Sequence, residues 1–309
     1  MSGDLAAARE LLRSACGDRL REAFPMASLT TFRIGGAAAL FLEPEDERDL
    51  AAAADAIIRT DIPFAVLGKG SNVLVADAGF PGLVLRLGRG FRWAARDGDI
   101  LRAGGSMPLP ALAGVALQHG LAGLSFAVAI PASLGGAIRM NAGAHGGQLS
   151  DVVETIATFG LRGGGLRDIP AAAAGFGYRH SDLDADAVVT GAQLRLQPGD
   201  PERIRAAMDD ARRWRRETQP IAEPNCGSVF TNPPGAHAAA LIDAAGLKGA
   251  RVGGASVSDK HANFIVAEPG ATAADVAALI HVIQERVEAE TGIALVPEVR
   301  VIGESETGD

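Results

Sequence analysis

The stretch AVLGKGSNVLVAD, residues 65–77, decides the fold. An apolar, β-branched run leads into Gly68-Lys69-Gly70-Ser71-Asn72, and a second such run, Val73 to Val75, leaves at once, so the pattern is strand, glycine loop, strand. A Rossmann fingerprint or a phosphate loop needs a helix N-terminus directly after its glycines, and none follows here. The loop can still serve a pyrophosphate, because glycines let backbone N–H groups come close and Ser71 and Asn72 add donors. A bare glycine turn between two strands has the same pattern.

Further along, IPASLGGAIRMNAGAHG at 130–146 joins a rigid Ile130-Pro131 entry, the pair Gly135-Gly136 and the small-residue run Asn141 to Gly143. So many small residues imply a close approach of backbone or ligand. Tight helix packing explains one such pair. Two separate glycine segments are what a dinucleotide needs.

Around these loops, apolar residues recur at three and four in LAAARELLRSA, EDERDLAAAADAIIRT, PLPALAGVALQHG, PERIRAAMDDARRWRRET and ATAADVAALIHVIQERVEAETG, which predicts five helices. Short β-branched runs predict strands in PFAVLG, NVLVAD, GLVLRL, DILRAGG, VVETIATFG, AVVTGAQLRL, ANFIVAE and LVPEVRVIG. The expected class is α+β. A Gly-Asp-Pro turn before the long charged helix places the main boundary near residue 199 and a second falls near 90, dividing the chain into 1–90, 91–199 and 200–309.

With 309 residues and 48% hydrophobic content, the chain is long enough for two or three subdomains with a large cofactor buried between them. A net charge of −8 disfavours nucleic acid as a partner, and the one basic run, Arg212, Arg213, Arg215 and Arg216, lies on a helix that also carries acids. Cys16 and Cys226 are too few and too far apart for a disulfide framework or a structural zinc, so no metal is expected. No run is long enough and apolar enough to suggest a membrane span, and the N-terminus lacks the form of a secretory signal, which makes the cytoplasm the expected location.

Seven motifs resemble the UDP-N-acetylmuramate dehydrogenase family in order and spacing. They are TTFRIGG (30–36), VLGKGSNVLVAD (66–77), IPASLGGAIRMNAGAHG (130–146), FGYRHS (176–181), GSVFTNP (227–233), GLKGARVGGASVSDKHANFIV (246–266) and PEVRVIG (297–303). The resemblance implies an FAD-binding domain of the vanillyl-alcohol-oxidase (PCMH) type, built from two α+β subdomains, followed by a C-terminal α+β substrate-binding domain. It further implies NADPH-dependent, FAD-mediated reduction of UDP-N-acetylglucosamine enolpyruvate for cell-wall precursor synthesis, by a monomer. Tyr178 is the only tyrosine and no tyrosine-bearing insertion is seen, so the chain resembles the shorter, type II form. Another FAD-dependent oxidoreductase of this architecture and a non-catalytic flavin or UDP-sugar binder are the competing readings.

By the same resemblance, FAD would be held by Gly68, Lys69, Gly70, Ser71 and Asn72 and by Ile130, Pro131, Ser133, Gly135, Gly136, Asn141 and Gly143. Such a reduction needs a hydride at the β-carbon, support for charge building toward the carboxylate, and a proton at the α-carbon. Arg179 would grip the carboxylate with its guanidinium fork, although an ion pair with Asp182 or Asp184 is an ordinary alternative. Ser228 would donate the proton, where a local turn cap is the plainer role. Glu298, at the end of the expected last strand, would polarise the carboxylate through a shared proton, or be an edge charge. Tyr178, Asn232 and His261 would contact the sugar nucleotide, His261 being equally readable as a core or capping histidine. Cys226, beside Ser228, reads as a structural thiol. Three positions depart from the family pattern: Ser125 for a glutamate, Ala132 for a glycine and Ala267 for an asparagine. At Ala132 a Cβ would strain the chain if that position required a positive φ.

Overall fold

The computed structural model of the protein describes residues 3–163 and 165–303. The architecture is α+β, and the chain forms two compact units. The first comprises the residues up to Glu22, Leu40–Lys69 and Gly82–Trp214; the second comprises Ala23–Ala39, Gly70–Pro81 and the chain from Arg215 onward.

A four-stranded sheet runs in the order Leu20–Pro25, Ala37–Leu42, Phe80–Leu85, Phe64–Val66, and its portions 20–22, 40–42, 82–85 and 64–66 belong to the first unit. Helices α1 (Leu5–Cys16) and α2 (Glu47–Thr60) bury Ala8, Leu12, Leu50 and Ile57 with Leu40, Leu42 and Leu83 of that sheet. The Asp46 carboxylate caps α2 by accepting the N–H groups of Arg48 and Asp49. A second, antiparallel sheet runs Gly165–Pro170, Val153–Gly160, Ala187–Arg195, Ile100–Gly104, Ala94–Asp97. Its core residues, among them Leu101, Ile156 and Leu194, cluster with those of α3 (Leu109–Gln118) and α4 (Leu134–Arg139).

Helix α5 (Pro201–Thr218) joins the same core through Ile204, Met208 and Ala211, one stripe at helical spacing. The chain stays in the first unit through Trp214. On the outer face of α5, Arg212 pairs with Asp209 at 2.9 Å and Arg213 pairs with Asp210, so part of the basic run is neutralised locally.

The second unit is discontinuous, which no composition shift announces. Its strand Val73–Val75 pairs in parallel with Arg300–Ile302, Val73 opposite Arg300. A small antiparallel sheet, Arg251–Val252, Ala255–Val257 and Ile265–Ala267, shares a core with α6 (Ala238–Ala244) and α7 (Ala273–Thr291). Thr272 and Asp275 form a capping box at the start of α7, and Asp77 accepts the N–H groups of Ala273 and Ala274 at 2.8 and 3.0 Å.

All five expected helices form, whereas α4 and α6 are additional. Helix α4 lies inside the segment read as a glycine loop, too short for a periodicity argument. The last strand covers only Arg300–Ile302, so Glu298 precedes it instead of standing at its end. Among the described residues, no helix is long and apolar enough to cross a membrane, and no group of three or more His, Cys, Asp or Glu could hold a metal ion.

Candidate active site

In the first unit, a cavity of about 430 Å³ is lined by Gly68, Lys69, Ser133, Gly135 and Gly136, with Arg86, Arg89 and Arg139 around them. Ser133 caps α4, its Oγ accepting the Gly136 N–H at 3.4 Å. A Cβ on Gly68 would stand 2.6 Å from that Oγ, so glycine at 68 is what lets the two glycine segments meet. Ile130, Pro131, Asn141 and Gly143 do not line this cavity. A wider, open depression of about 930 Å³ on the five-stranded sheet, lined by Trp93, Arg102, Thr155 and Leu166, contains none of the predicted site residues.

The glycines divide by what they meet. Gly135 packs against backbone, a Cβ there meeting Val189 O at 3.0 Å, and its N–H is spent on Gly105 O at 2.8 Å. Gly143 closes a small hairpin against Gly147 O, and Gly70, at φ 62°, lies against Leu29 O. Packing accounts for these three. Along the loop, by contrast, the N–H groups of Gly68, Lys69, Gly70 and Ser71 have no protein acceptor among the described residues, and the Lys69 side chain is exposed beside them. Unspent donors next to a cation form the donor set of an anion nest, and they fit the pyrophosphate of FAD. Ala132 is absent from the positive-φ residues, so its Cβ causes no strain.

Arg179 occupies a tight turn of the first unit. Gly177 and His180 exchange backbone hydrogen bonds at 3.0 and 3.3 Å, leaving Tyr178 and Arg179 at the tip. Arg179 has φ 56°, a conformation that glycine or asparagine adopts at lower cost. Its Nη2 donates to Gly143 O at 2.9 Å, and its guanidinium stands 5.1 Å from the centre of the exposed Tyr178 ring. Asp182 is engaged by His180 at 2.7 Å.

Ser228 and Glu298 belong to the second unit. The Glu298 N–H donates to Val229 O at 2.7 Å, and Phe230 bridges Pro297, so the residues following Ser228 lie along those around Glu298. Asn72 ties the glycine loop to the same place, its Nδ2 donating to Glu298 O at 3.1 Å and its carbonyl accepting from Arg300. Gly227, at φ 81°, has nothing within 4 Å of a would-be Cβ, and its N–H is held by Asn225 Oδ1 at 2.9 Å. The half-buried Ser228 hydroxyl has no hydrogen-bond partner among the described residues, so the turn-cap role is not the one it plays. Cys226 is buried, and burial followed by the nearby Glu298 charge pushes its thiol pKa up, which keeps it protonated and inert.

His261 stacks edge-on against Phe264 at 4.7 Å, and its Nδ1 accepts the Asn263 N–H at 3.3 Å. Burial holds its pKa below the ordinary histidine value, with the charge of Lys248 adding to the effect. Asn232 is exposed and accepts the Ala238 N–H at 3.0 Å, so its oxygen serves the start of α6. Sequence reasoning missed Asn225 and Asn263, which shape the backbone around Ser228. The signal was there for Asn263: a lone amide in the apolar run ANFIV is a buried polar group that must have partners.

Two family models match the chain. Residues 38–159 match an FAD binding domain, and residues 219–302 match the C-terminal domain of UDP-N-acetylenolpyruvoylglucosamine reductase. The chain is 48% identical to the UDP-N-acetylenolpyruvoylglucosamine reductase of Heliobacterium modesticaldum, over 91% of this chain and 90% of that one. It is 46% identical to the protein of that name from Anaeromyxobacter sp., over 99% and 96%. The crystal structure of UDP-N-acetylenolpyruvylglucosamine reductase from Thermus caldophilus superimposes with a TM-score of 0.80 at 36% identity, over 92% of this chain and 99% of that one. Both the flavin-side and the substrate-side portions are thus matched, and the chain belongs to the UDP-N-acetylenolpyruvoylglucosamine reductase family.

Proposed function

We infer that this protein reduces the enolpyruvyl double bond of UDP-N-acetylglucosamine enolpyruvate to give UDP-N-acetylmuramate, with NADPH as reductant and FAD as the bound carrier. FAD held at the glycine loop would supply the hydride chemistry, with NADPH as the source of the reducing equivalents and the β-carbon of the substrate as their destination. The chain's own residues do the rest. Gly68, Lys69, Gly70 and Ser71 hold the phosphates with their unspent N–H groups and the lysine charge. Arg179, presented at a turn tip, binds the substrate carboxylate and stabilises the enolate-like charge that builds there. Ser228 places its proton on the α-carbon. Glu298 polarises the carboxylate from the segment alongside.

The observation that carries this reading is the Glu298 N–H to Val229 O hydrogen bond of 2.7 Å, which lays the backbone of Glu298 beside the residue that follows Ser228, a serine whose hydroxyl has no hydrogen-bond partner among the described residues. On this reading the protein is a cytoplasmic monomer that serves cell-wall precursor synthesis, and Tyr178, Asn232 and His261 touch the sugar nucleotide. The test is product analysis by mass spectrometry after incubation of the holoenzyme with NADPH and the enolpyruvyl substrate. A product heavier by one hydride and one proton is expected. NADPH consumption with the substrate intact would contradict the reading.

A further inference from the structure

Asn141 is 2% exposed and sits at φ 40°, one of six residues other than glycine with a positive φ among the described residues. Its amide is heavily engaged: Nδ2 donates to Gly177 O at 2.9 Å and to Gln148 Oε1 at 3.3 Å, and Oδ1 accepts the Ser150 N–H at 2.9 Å. The backbone donor on Oδ1 and the backbone acceptor on Nδ2 fix which end of the amide is which. Both amide protons are spent inside the protein, so the side chain has no donor left for a cofactor.

The carbonyl that Asn141 holds belongs to Gly177, the first residue of the Arg179 turn. The brace is reciprocal, since Arg179 Nη2 returns to Gly143 O, two residues beyond Asn141. The far side of the turn is tied down as well: Ser181 Oγ donates to Arg139 O at 2.8 Å, and Arg139 donates to the carbonyls of Leu183 and Asp184 at 3.2 and 3.0 Å. Arg179 itself is held at φ 56°. A side chain at the tip of a strained turn keeps its direction only where the surroundings over-determine the backbone.

We propose that Asn141 is a positioning residue that aims Arg179 at the substrate carboxylate, acting on the substrate step and not on FAD binding. This rests on the functional reading above. The Asn141→Asp variant keeps the acceptor for Ser150 and a residue type tolerant of positive φ, but removes the donor to Gly177. Loss of one buried donor is worth about tenfold or more in whatever step depends on it.

The test mixes NADPH-reduced holoenzyme with UDP-N-acetylglucosamine enolpyruvate under anaerobic conditions and follows flavin absorbance in wild type, Asn141→Asp, Asn141→Gly, Arg179→Ala and Asn141→Asp/Arg179→Ala. The expected result is unchanged FAD content and unchanged reduction by NADPH in Asn141→Asp, with reoxidation by substrate slowed about tenfold or more. In the Arg179→Ala background the same change should slow reoxidation less than about twofold, because a positioning residue has nothing left to position. Asn141→Gly, which relieves the backbone, should be as slow as Asn141→Asp. The proposal is overturned if Asn141→Asp reoxidises at the wild-type rate, if its effect persists undiminished without Arg179, if Asn141→Gly restores the rate, or if the variants lose FAD. A wild-type flavin indifferent to the substrate is a separate result: it removes the functional reading, and this inference with it.

Discussion

Asn263 clamps both backbone polar groups of Phe230, its Oδ1 accepting the Phe230 N–H at 2.9 Å and its Nδ2 donating to Phe230 O at 2.8 Å. Both residues are buried, and the Asn263 carbonyl also takes the Val229 N–H at 2.9 Å. The backbone just beyond Ser228 is therefore set by one amide side chain. Asn263→Ala leaves a donor and an acceptor unpaired in the core, and the expected loss is about 2–4 kcal/mol of unfolding free energy. Urea denaturation measures it; a change below about 0.5 kcal/mol would mean that the clamp carries no load.

Gly70 and Gly98 have nearly the same φ, 62° and 60°, but different surroundings. A Cβ at 70 would stand 2.1 Å from Leu29 O, whereas one at 98 meets nothing within 4 Å. Gly98→Ala should lose only about 1 kcal/mol for the left-handed conformation. Gly70→Ala must also displace backbone, so it should be clearly less stable and retain little FAD. Denaturation midpoints and bound-flavin absorbance compare the two, and equal midpoints would contradict the packing argument.

Cys226 and Cys16 are both buried, with thiol pKa values raised above the ordinary value chiefly by burial. Neither should react with a thiol reagent at pH 8 while the protein is folded, and both should react once it is unfolded. Cys226→Ala should keep substrate-dependent flavin reoxidation within about threefold of wild type. Rapid native-state labelling at Cys226 accompanied by loss of activity would reopen a nucleophilic role.

His261 has a folded-state pKa below its unfolded value, first because it is buried. The unfolded state therefore binds the proton more readily, and the associated stability is intact above about pH 6.5 and is lost as pH falls through the lower folded value. His261→Gln should abolish that part of the decline. Denaturation midpoints at pH 7.5 and 5.5 in both proteins provide the check, and an identical acid loss would assign the effect to other groups.

Much of this was legible because periodicity is local. Helix α5 was readable over its full length, and the loop at 68–72 was correctly separated from a Rossmann turn because strand Val73–Val75 follows it directly. The partner of that strand, Arg300–Ile302, lies more than two hundred residues away, and no local pattern announces such a pairing or the discontinuous second unit it helps build. Helix α4 escaped because its six residues include two glycines, which weaken any helical signal. The motifs put forward Arg179, Ser228 and Glu298 as candidates, whereas Asn141 and Asn263 make their hydrogen bonds to backbone carbonyls and amides, which no motif displays. Their partners are backbone groups of Gly177 and Phe230, so the residue types there carry no sign of the hydrogen bond.

Flavin-mediated reduction with Ser228 as proton donor can be followed by anaerobic stopped-flow absorbance on NADPH-reduced holoenzyme mixed with UDP-N-acetylglucosamine enolpyruvate. Rapid return of the oxidised flavin spectrum is expected in wild type, with a loss of about a hundredfold or more in Ser228→Ala and reduction by NADPH unchanged. A reduced flavin that ignores the substrate in wild type, or a Ser228→Ala protein that reoxidises at the wild-type rate, would contradict this mechanism.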